Sequence, residues 1–535
     1  MSPFLSLSLF LDGVFRSSGL FPGQEKTGYM WEGSMRKVVV AVMGCLIASG
    51  LVMSMMVFVE AVYMTTVVII VKLLRRTPEK VHKWEAMKDD VELAHSNYPM
   101  VLIQIPMFNE KEVCELSIGA ACRMSWPWDR MIIQVLDDST DLTCKQELVK
   151  EECGKWARKG VNIKSEVRDN RNGYKAGALK AGMKHVYVKH CDYVAIFDAD
   201  FQPDPDFLAR TIPFLLHNPD LALVQARWKF VNANECLMTR IQEMSLNYHF
   251  MAEQECGSSL HAFFGFNGTA GVWRISALKE AGGWKDRTTV EDMDLAVRAC
   301  LQGWKFVFVG DIQVKSELPS SFETYRFQQH RWSCGPANLF RKMTMEIMES
   351  KRVSLWKKAY LIYNFFIVRK IVVHMFTFVF YCLILPASVL FPEVEIPQWA
   401  TIYVPTAITI LNVMATPRSF HLLVFWVLFE NVMAMHRTKA ALIGLVEAGR
   451  VDEWVVTEKT GHNTLKAQLV PAKPWERRRS GGVHWEEVAV GLYMLVCGCY
   501  DMAFGRTYLF VYLFLQSIAF FVAGVGFLGT PISCS

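Results

Sequence analysis

Apolar positions in this chain follow two patterns. From about residue 98 to 350 they form short runs, at 101–105, 131–136, 162–167, 193–197, 221–225 and 305–309, with stretches of helical periodicity between them. Strands that alternate with helices predict an α/β domain on a parallel sheet, whose ligands gather at the strand ends. Elsewhere the apolar positions form long blocks. Residues 38–59 are all uncharged, and a second uncharged run covers 61–71; together they exceed the ~20 residues that cross a bilayer. This predicts one span and then a helix that leaves along the interface, with Glu60 near the exit. Blocks at 372–391, 399–416, 488–505 and 507–529 predict four further spans, the third carrying Asp501. The first block starts too far into the chain, and is too long, for a signal peptide.

Composition fits that division. A chain of 535 residues exceeds one ordinary core, and its 52% hydrophobic content is concentrated in the long blocks. The formal charge of +5 is small and predicts no nucleic-acid partner. Its placement says more. Lys72, Arg75, Arg76, Lys80 and Lys83 follow the first span, and Lys357, Lys358, Arg369 and Lys370 precede the second, which reports orientation or contact with lipid headgroups. The 14 cysteines show no repeated metal-ligand spacing and predict neither a zinc module nor a disulfide framework.

Each of the first four strands stops at a polar cluster: Phe108-Asn109-Glu110, Asp137-Asp138-Ser139-Thr140-Asp141, Arg168 to Lys175, and Asp198-Ala199-Asp200. Four polar strand ends on one edge make a site. Asp198 and Asp200, at i and i+2, present two carboxylates to one side, as a divalent cation holding a diphosphate requires; taken alone, a solvated loop accounts for the pair about as well. Asp137 and Asp138 suit the base and ribose of a nucleotide, or the cap of a helix. Lys175 opens a helix whose early N–H groups could face phosphate, or it is an exposed lysine.

Glu291 and Asp292 follow Thr289-Val290 and start another helix. They are helix-start carboxylates worth up to ~1 kcal/mol, or one is the base of an inverting glycosyl transfer. That base takes the proton from the attacking hydroxyl while a nucleoside diphosphate leaves with help from a metal. Asp292 is favoured as base, with Glu291 behind it. Gln328, Arg331 and Trp332 lie on a later helical segment. An Arg and a Gln can hold phosphate oxygens and an indole offers a flat platform for a sugar, although the string alone also reads as an amphipathic helix with a Trp anchor. The loop 263–271 packs small residues between aromatics, which permits close backbone approach to a ligand or a tight turn in the core.

In order, Asp137/Asp138, Asp198-x-Asp200, Thr289-x-Glu291-Asp292 and Gln328-x-x-Arg331-Trp332 resemble the motifs of processive family 2 glycosyltransferases, the cellulose, chitin and hyaluronan synthases and their plant cellulose synthase-like relatives. The resemblance covers essentially the whole chain after Met35. Residues 101–109, 137–141, 173–181, 193–207 and 447–460 resemble in particular the cellulose synthase-like A group, the glucomannan 4-beta-mannosyltransferases or mannan synthases. This resemblance implies an α/β GT-A (Rossmann-like) catalytic domain combined with an α-helical multi-pass transmembrane domain. It implies that Asp137 or Asp138 and Lys175 contact nucleotide, and that Asp198 and Asp200 bind a divalent metal, Mg2+ or Mn2+, with the diphosphate. Asp292 would be the base, and Gln328, Arg331 and Trp332 would lie at the acceptor terminus and diphosphate. Trp454 to Lys459 resembles the gating loop of bacterial cellulose synthase, which implies that Thr457 and Lys459 close over the nucleotide.

For that loop to reach the catalytic side, 420–446 must lie along the interface, and Glu430, His436, Arg437 and Lys439 suit a membrane-surface helix. The chain then divides into a disordered tail (1–34), a transmembrane helix with an interfacial extension (35–73), the GT-A domain (95–350) and interfacial helices (351–371). Two transmembrane helices (372–416), an interfacial helix with the gating loop (417–485), two more transmembrane helices (486–529) and a C-terminal tail (530–535) complete it.

The implied function is processive, inverting polymerisation of a β-1,4-linked mannan or glucomannan backbone from GDP-mannose, with or without GDP-glucose, in the Golgi membrane. The implied partners are that donor, the growing β-1,4-mannan acceptor and membrane lipids, with a homo-oligomer or accessory protein left open. Basic clusters beside the catalytic domain, and a loop at 392–398 without Lys or Arg, favour a cytosolic site over a lumenal one. An alternative keeps the reaction but uses UDP-glucose, as a β-1,4-glucan synthase of the xyloglucan-backbone type. Another is a non-catalytic membrane scaffold or transporter. It predicts lost carboxylates at the catalytic positions, where none is lost, and charges within the spans, where Asp501 is nearly alone.

Overall fold

A computed structural model of the chain describes residues 25–87, 95, 97–140, 148–168, 170–391, 393–447, 483–504 and 508–526, with side chains from residue 35 onward. Seven strands form one sheet: β1 (Val101–Met107), β2 (Met131–Asp137), β3 (Ile163–Val167), β4 (Tyr193–Ile196), β5 (Leu221–Phe230), β6 (Gly271–Arg274) and β7 (Lys305–Ser316). Their order is β3-β2-β1-β4-β6-β5-β7. The sheet is mixed rather than parallel, because β6 runs antiparallel to both β4 and β5 while the other pairs are parallel. The sequence pattern missed β6. It holds four residues directly after the glycine-rich loop, too few for a period, and an antiparallel return needs no crossover helix to announce it.

Side chains alternate across the sheet as the strand period demands. Val101, Ile103, Ile105, Ile133 and Val135 enter one apolar layer, while Leu102, Ile132 and Leu136 enter the other. Both faces are covered, which is why these strands read as unbroken apolar runs. Gln104 and Gln134 sit opposite each other, fully buried, and Gln104 Nε2 donates to Gln134 Oε1 at 2.8 Å.

Among the described residues, four helices are long and apolar enough to cross a membrane by length and composition: Met35–Leu73, Leu355–Ser388, Pro417–Val446 and Trp485–Phe504. Trp399–Val413 and Leu509–Gly524 are apolar and shorter. Some helix boundaries differ from those expected. The first helix starts at Glu25, inside the expected tail, and runs to Leu73 without a break at Glu60; residues 1–24 lie outside the described residues. Glu60 makes contacts the sequence did not show. It is buried, its Oε1 accepting from Arg369 Nε at 2.8 Å and its Oε2 from Asn364 Nδ2 at 2.5 Å. Arg369, read above as reporting orientation or headgroup contact, is thus an internal partner, as a buried charge requires.

The segment 351–371, expected to be interfacial, runs on into the next apolar block as one helix. Pro417–Val446, also expected to lie along the interface, has the length and composition to cross. It packs along the Phe322–Glu349 helix of the α/β domain: a Cβ on Gly444 would stand 2.3 Å from the Cys334 carbonyl oxygen, and Arg437 Nε donates to Gln329 Oε1 at 2.7 Å. Asp501 is explained locally. Its Oδ2 accepts from the Phe510 N–H at 2.9 Å, capping the start of the Leu509–Gly524 helix.

Candidate active site

The chain turns sharply as it leaves β4. The Phe201 N–H bonds the Asp198 carbonyl at 2.9 Å, and the Asp198 N–H is held by Thr269 Oγ1 at 2.9 Å. The Asp198 carboxylate accepts the Lys175 ammonium, which also donates to the Gly268 carbonyl at 3.0 Å. Lys175 stands in the first turn of the Tyr174–Gly182 helix. Gly268 has φ +80°, and a Cβ there would lie 2.8 Å from Asp292 Oδ2 and 3.3 Å from Lys175 Nζ. Only glycine allows this backbone to pass between the two. Glu291 and Asp292 open the Glu291–Leu301 helix, and Asp292 Oδ1 accepts the Met293 N–H at 2.7 Å. Lys175, Asp198 and Asp292, far apart in sequence, therefore meet around one glycine.

The electrostatics follow from that crowding. Burial pushes both helix-start carboxyls up, Glu291 to about 8, aided by the Asp292 charge, and Asp292 to about 6. Lys175 counters both shifts without cancelling them. Burial opposes the Lys175 ammonium in turn, yet Asp198, Glu291 and Asp292 together hold its pKa above the usual lysine value. Arg331 faces the same group: burial lowers its pKa, against the pull of Asp198, Glu291, Asp292 and Glu110. Two adjacent carboxyls pushed to different values are how one protein site keeps one acid protonated and the other ionised.

At the neighbouring strand ends, Asp137 is fully buried; its Oδ1 accepts the Ser139 N–H at 2.9 Å, and its Oδ2 has no partner among the described residues. Asp138 is clamped by two N–H groups of Arg168, from Nε at 2.6 Å and from Nη2. Asp200 is buried two residues beyond Asp198. No group of three or more His, Cys, Asp or Glu among the described residues could hold a metal by itself. Asp198 and Asp200 supply hard oxygen donors of the kind Mg2+ and Mn2+ accept, and such ions take their remaining ligands from substrate phosphates and water. Thr457 and Lys459, with the rest of the expected gating loop, lie outside the described residues.

A cavity of about 1830 Å³ reaches Asp292 of this cluster, with Asn267, Trp228 and Trp332 also in its lining. It continues past Tyr325, Glu430 and Arg437 to residues 394–398 of the short loop between apolar helices. Trp332 lies beside Trp228, with ring centroids 6.4 Å apart. From the Phe322–Glu349 helix the lining side chains are Tyr325, Gln329, Trp332, Ser333 and Pro336. Gln328 and Arg331, singled out in the sequence with Trp332, are not among them. Counting back three and seven residues from Trp332 gives Gln329 and Tyr325, so helical periodicity held the signal. Trp228 was also missed, because it acts through its place in the fold, whereas Gly268 and Thr269 lie in the small-residue loop 263–271 that the sequence singled out.

A GT-A glycosyltransferase is the class this fold and strand-edge site define. Residues 102–270 match the family described as Glycosyl transferase family 2, and 193–416 match Glycosyl transferase family group 2. The chain is 68% identical to "Probable glucomannan 4-beta-mannosyltransferase 3" of Arabidopsis thaliana over 99% of both chains. It is 67% identical to "Glucomannan 4-beta-mannosyltransferase 9" of Arabidopsis thaliana over 90% of both. With "Probable glucomannan 4-beta-mannosyltransferase 9" of Oryza sativa subsp. japonica it shares 65% over 95% of this chain and 98% of that one. It belongs to the glucomannan 4-beta-mannosyltransferase family.

Proposed function

We propose that the chain is a processive, inverting transferase that extends a β-1,4-linked mannan or glucomannan backbone from GDP-mannose. Asp292 is the base. It takes the proton from the acceptor's 4-hydroxyl, whose oxygen forms the new bond to C1 of the donor mannose as the bond from C1 to GDP breaks. Family membership and the raised pKa of a cleft carboxylate both support this role. Lys175 and Arg331 offer positive charge to the diphosphate, Asp198 and Asp200 would hold Mg2+ or Mn2+, and Asp137 and Asp138 belong to the nucleotide end. When bound, the cation would neutralise charge developing on the departing diphosphate. Trp332 offers a flat face for the terminal sugar.

The observation that carries processivity is the single cavity lined by Asp292 and Trp332 that continues among the apolar helices. A product that occupies it stays engaged between additions. Multi-pass insertion in the Golgi membrane with the catalytic domain in the cytosol is part of the same reading. So are 420–446 lying along the interface and a gating loop that brings Thr457 and Lys459 over the nucleotide. The test incubates membranes separately with labelled GDP-mannose, GDP-glucose and UDP-glucose and digests the polymer with linkage-specific hydrolases. Label from GDP-mannose released by β-1,4-mannanase is the expected result; polymer formed only from UDP-glucose refutes the donor assignment.

A further inference from the structure

Asp292 and Trp332 line one cavity but stand on different helices, Asp292 at the start of Glu291–Leu301 and Trp332 inside Phe322–Glu349. The segment 287–290, which leads into the first of these helices, touches both. Arg287 donates to two carboxylates at once. On the Glu291–Leu301 helix, its Nε and Nη2 reach Asp294 Oδ1 at 2.9 and 2.6 Å. On the Phe322–Glu349 helix, its Nη1 reaches Glu346 Oε1 at 2.5 Å and its Nη2 reaches Glu346 Oε2 at 3.2 Å. The second helix adds two further contacts to the same segment. Lys342 Nζ donates to the Arg287 carbonyl at 2.6 Å, and a Cβ on Gly335 would stand 2.6 Å from Val290 Cγ1 and 3.0 Å from Thr289 Oγ1. Gly335, Lys342 and Glu346 are spaced by seven and four residues, which puts them on one helix face, and Trp332 comes three residues before the first.

Asp294 does not need Arg287 for its neutralisation. It is fully buried, and Arg298, one turn on, donates from Nε to its Oδ2 at 2.8 Å. The second guanidinium therefore adds something other than a counter-charge. A planar fork fixes direction as well as distance, and this one spans two helices. Its hydrogen bonds hold the Glu346 carboxyl below the usual carboxylate range, so that end of the link stays ionised at neutral pH. Transfer is sensitive to such a link, because a misplacement of about 1 Å at a reacting group costs on the order of 10²-fold in rate. We propose that Arg287, with Glu346, is a positioning residue for the transfer: it clamps the helix of the base to the helix of Trp332 and so fixes Asp292 against the sugar that Trp332 supports. Neither Arg287 nor Glu346 lines the cavity, so the effect runs through Asp292 and Trp332. This deepens the reading of Asp292 as base and rests on it.

The test measures kcat and KM for GDP-mannose on the full solubilised chain, with a thermal melt alongside. Turnover is expressed per GDP-binding site counted by calorimetry, so that unfolded protein does not lower it. Glu346→Ala leaves Asp294 with both arginines and removes only the link to the second helix. It is expected to melt like wild type, keep its KM and lose about 10-fold in kcat, short of the loss for a full 1 Å shift because Gly335 and Lys342 still hold. Arg287→Lys keeps a charge at Asp294 but cannot span two carboxylates, because an ammonium has no planar fork. It is expected to melt above Arg287→Ala and close to wild type, with kcat still reduced about 10- to 100-fold. Wild-type kcat in Glu346→Ala overturns the inference. So does an Arg287→Lys enzyme whose kcat recovers together with its melting temperature, since neutralising Asp294 would then be all that Arg287 does. A KM that rises while kcat holds also overturns it, because the link would then serve the donor site. Asp292→Asn with wild-type turnover overturns the base reading and this inference with it; an inactive Asp292→Asn beside a fully active Glu346→Ala overturns the inference alone.

Discussion

Replacing Gly268 with alanine tests whether catalysis depends on where the Asp292 carboxylate stands. The new Cβ would lie 2.8 Å from Asp292 Oδ2, against a comfortable non-bonded separation of about 3.5 Å, so something must retreat by roughly 0.7 Å. The obstacle is the end of a side chain rather than backbone, so the carboxylate moves and the fold survives. Adding a side chain at φ +80° costs about 1–2 kcal/mol more, less than the ~5–15 kcal/mol that holds a domain folded. A catalytic group misplaced by about 1 Å loses on the order of 10²-fold in rate. Gly268→Ala should therefore lower kcat by roughly 10- to 100-fold while the melting temperature falls by only a few degrees. The assay is the initial rate of labelled mannose incorporation from GDP-mannose into mannanase-sensitive polymer, with a thermal melt and GDP binding measured in parallel. Gly44→Ala is the control, since a Cβ there meets nothing within 4 Å. A Gly268→Ala enzyme with wild-type kcat and an intact fold would refute the placement of the base.

Asp292→Asn should cut kcat by ~10²–10⁴-fold while GDP binding persists; turnover at the wild-type rate would remove Asp292 from the base role. In the wild-type enzyme the base must be ionised. With Asp292 raised to about 6, kcat/KM should fall as pH drops through about 6, and an acid limb near 4 would contradict that environment. Chelation with EDTA should abolish synthesis, with Mg2+ or Mn2+ restoring it, and Asp200→Ala should weaken metal-dependent GDP binding; an unaltered metal requirement in that variant counts against Asp200 as a ligand. Glu60→Ala strands the buried Arg369 guanidinium and should cost ~3–5 kcal/mol, read as a lower melting temperature of the solubilised protein. A melt within a degree of wild type would show that the pair contributes nothing to holding the first helix.

What could be read from the sequence, and what could not, divides along a physical line. Short unbroken apolar runs revealed six of the strands, and the polar ends of the first four the edge that carries Asp137, Asp138, Lys175 and Asp198, because burial on both sheet faces leaves a strong local signature. β6 left none, being four residues between a loop and a helix. Residue type and spacing within one element cannot say which distant element supplies the partner. The partners of Glu60, Asn364 and Arg369, stand in a distant part of the chain and left no local trace. The charges of Pro417–Val446 were visible in the sequence and their partners were not; Arg437 reaches Glu430, Gln329 and Tyr325.

The same limit explains the two arginines after β3. Arg168 and Arg171 are one residue type three positions apart, and nothing local distinguishes a guanidinium clamped on Asp138 from one resting on Phe108. The difference arises because β1 and β2 are adjacent and parallel, which brings Phe108 and Asp138 to the same edge. Chemistry at this site is therefore set by strand order as much as by motif. The Asp138 carboxylate is already neutralised by Arg168, whereas an oxygen of its neighbour Asp137 lacks a donor among the described residues. Two adjacent aspartates that read alike in the chain thus acquire different surroundings only once the sheet has formed.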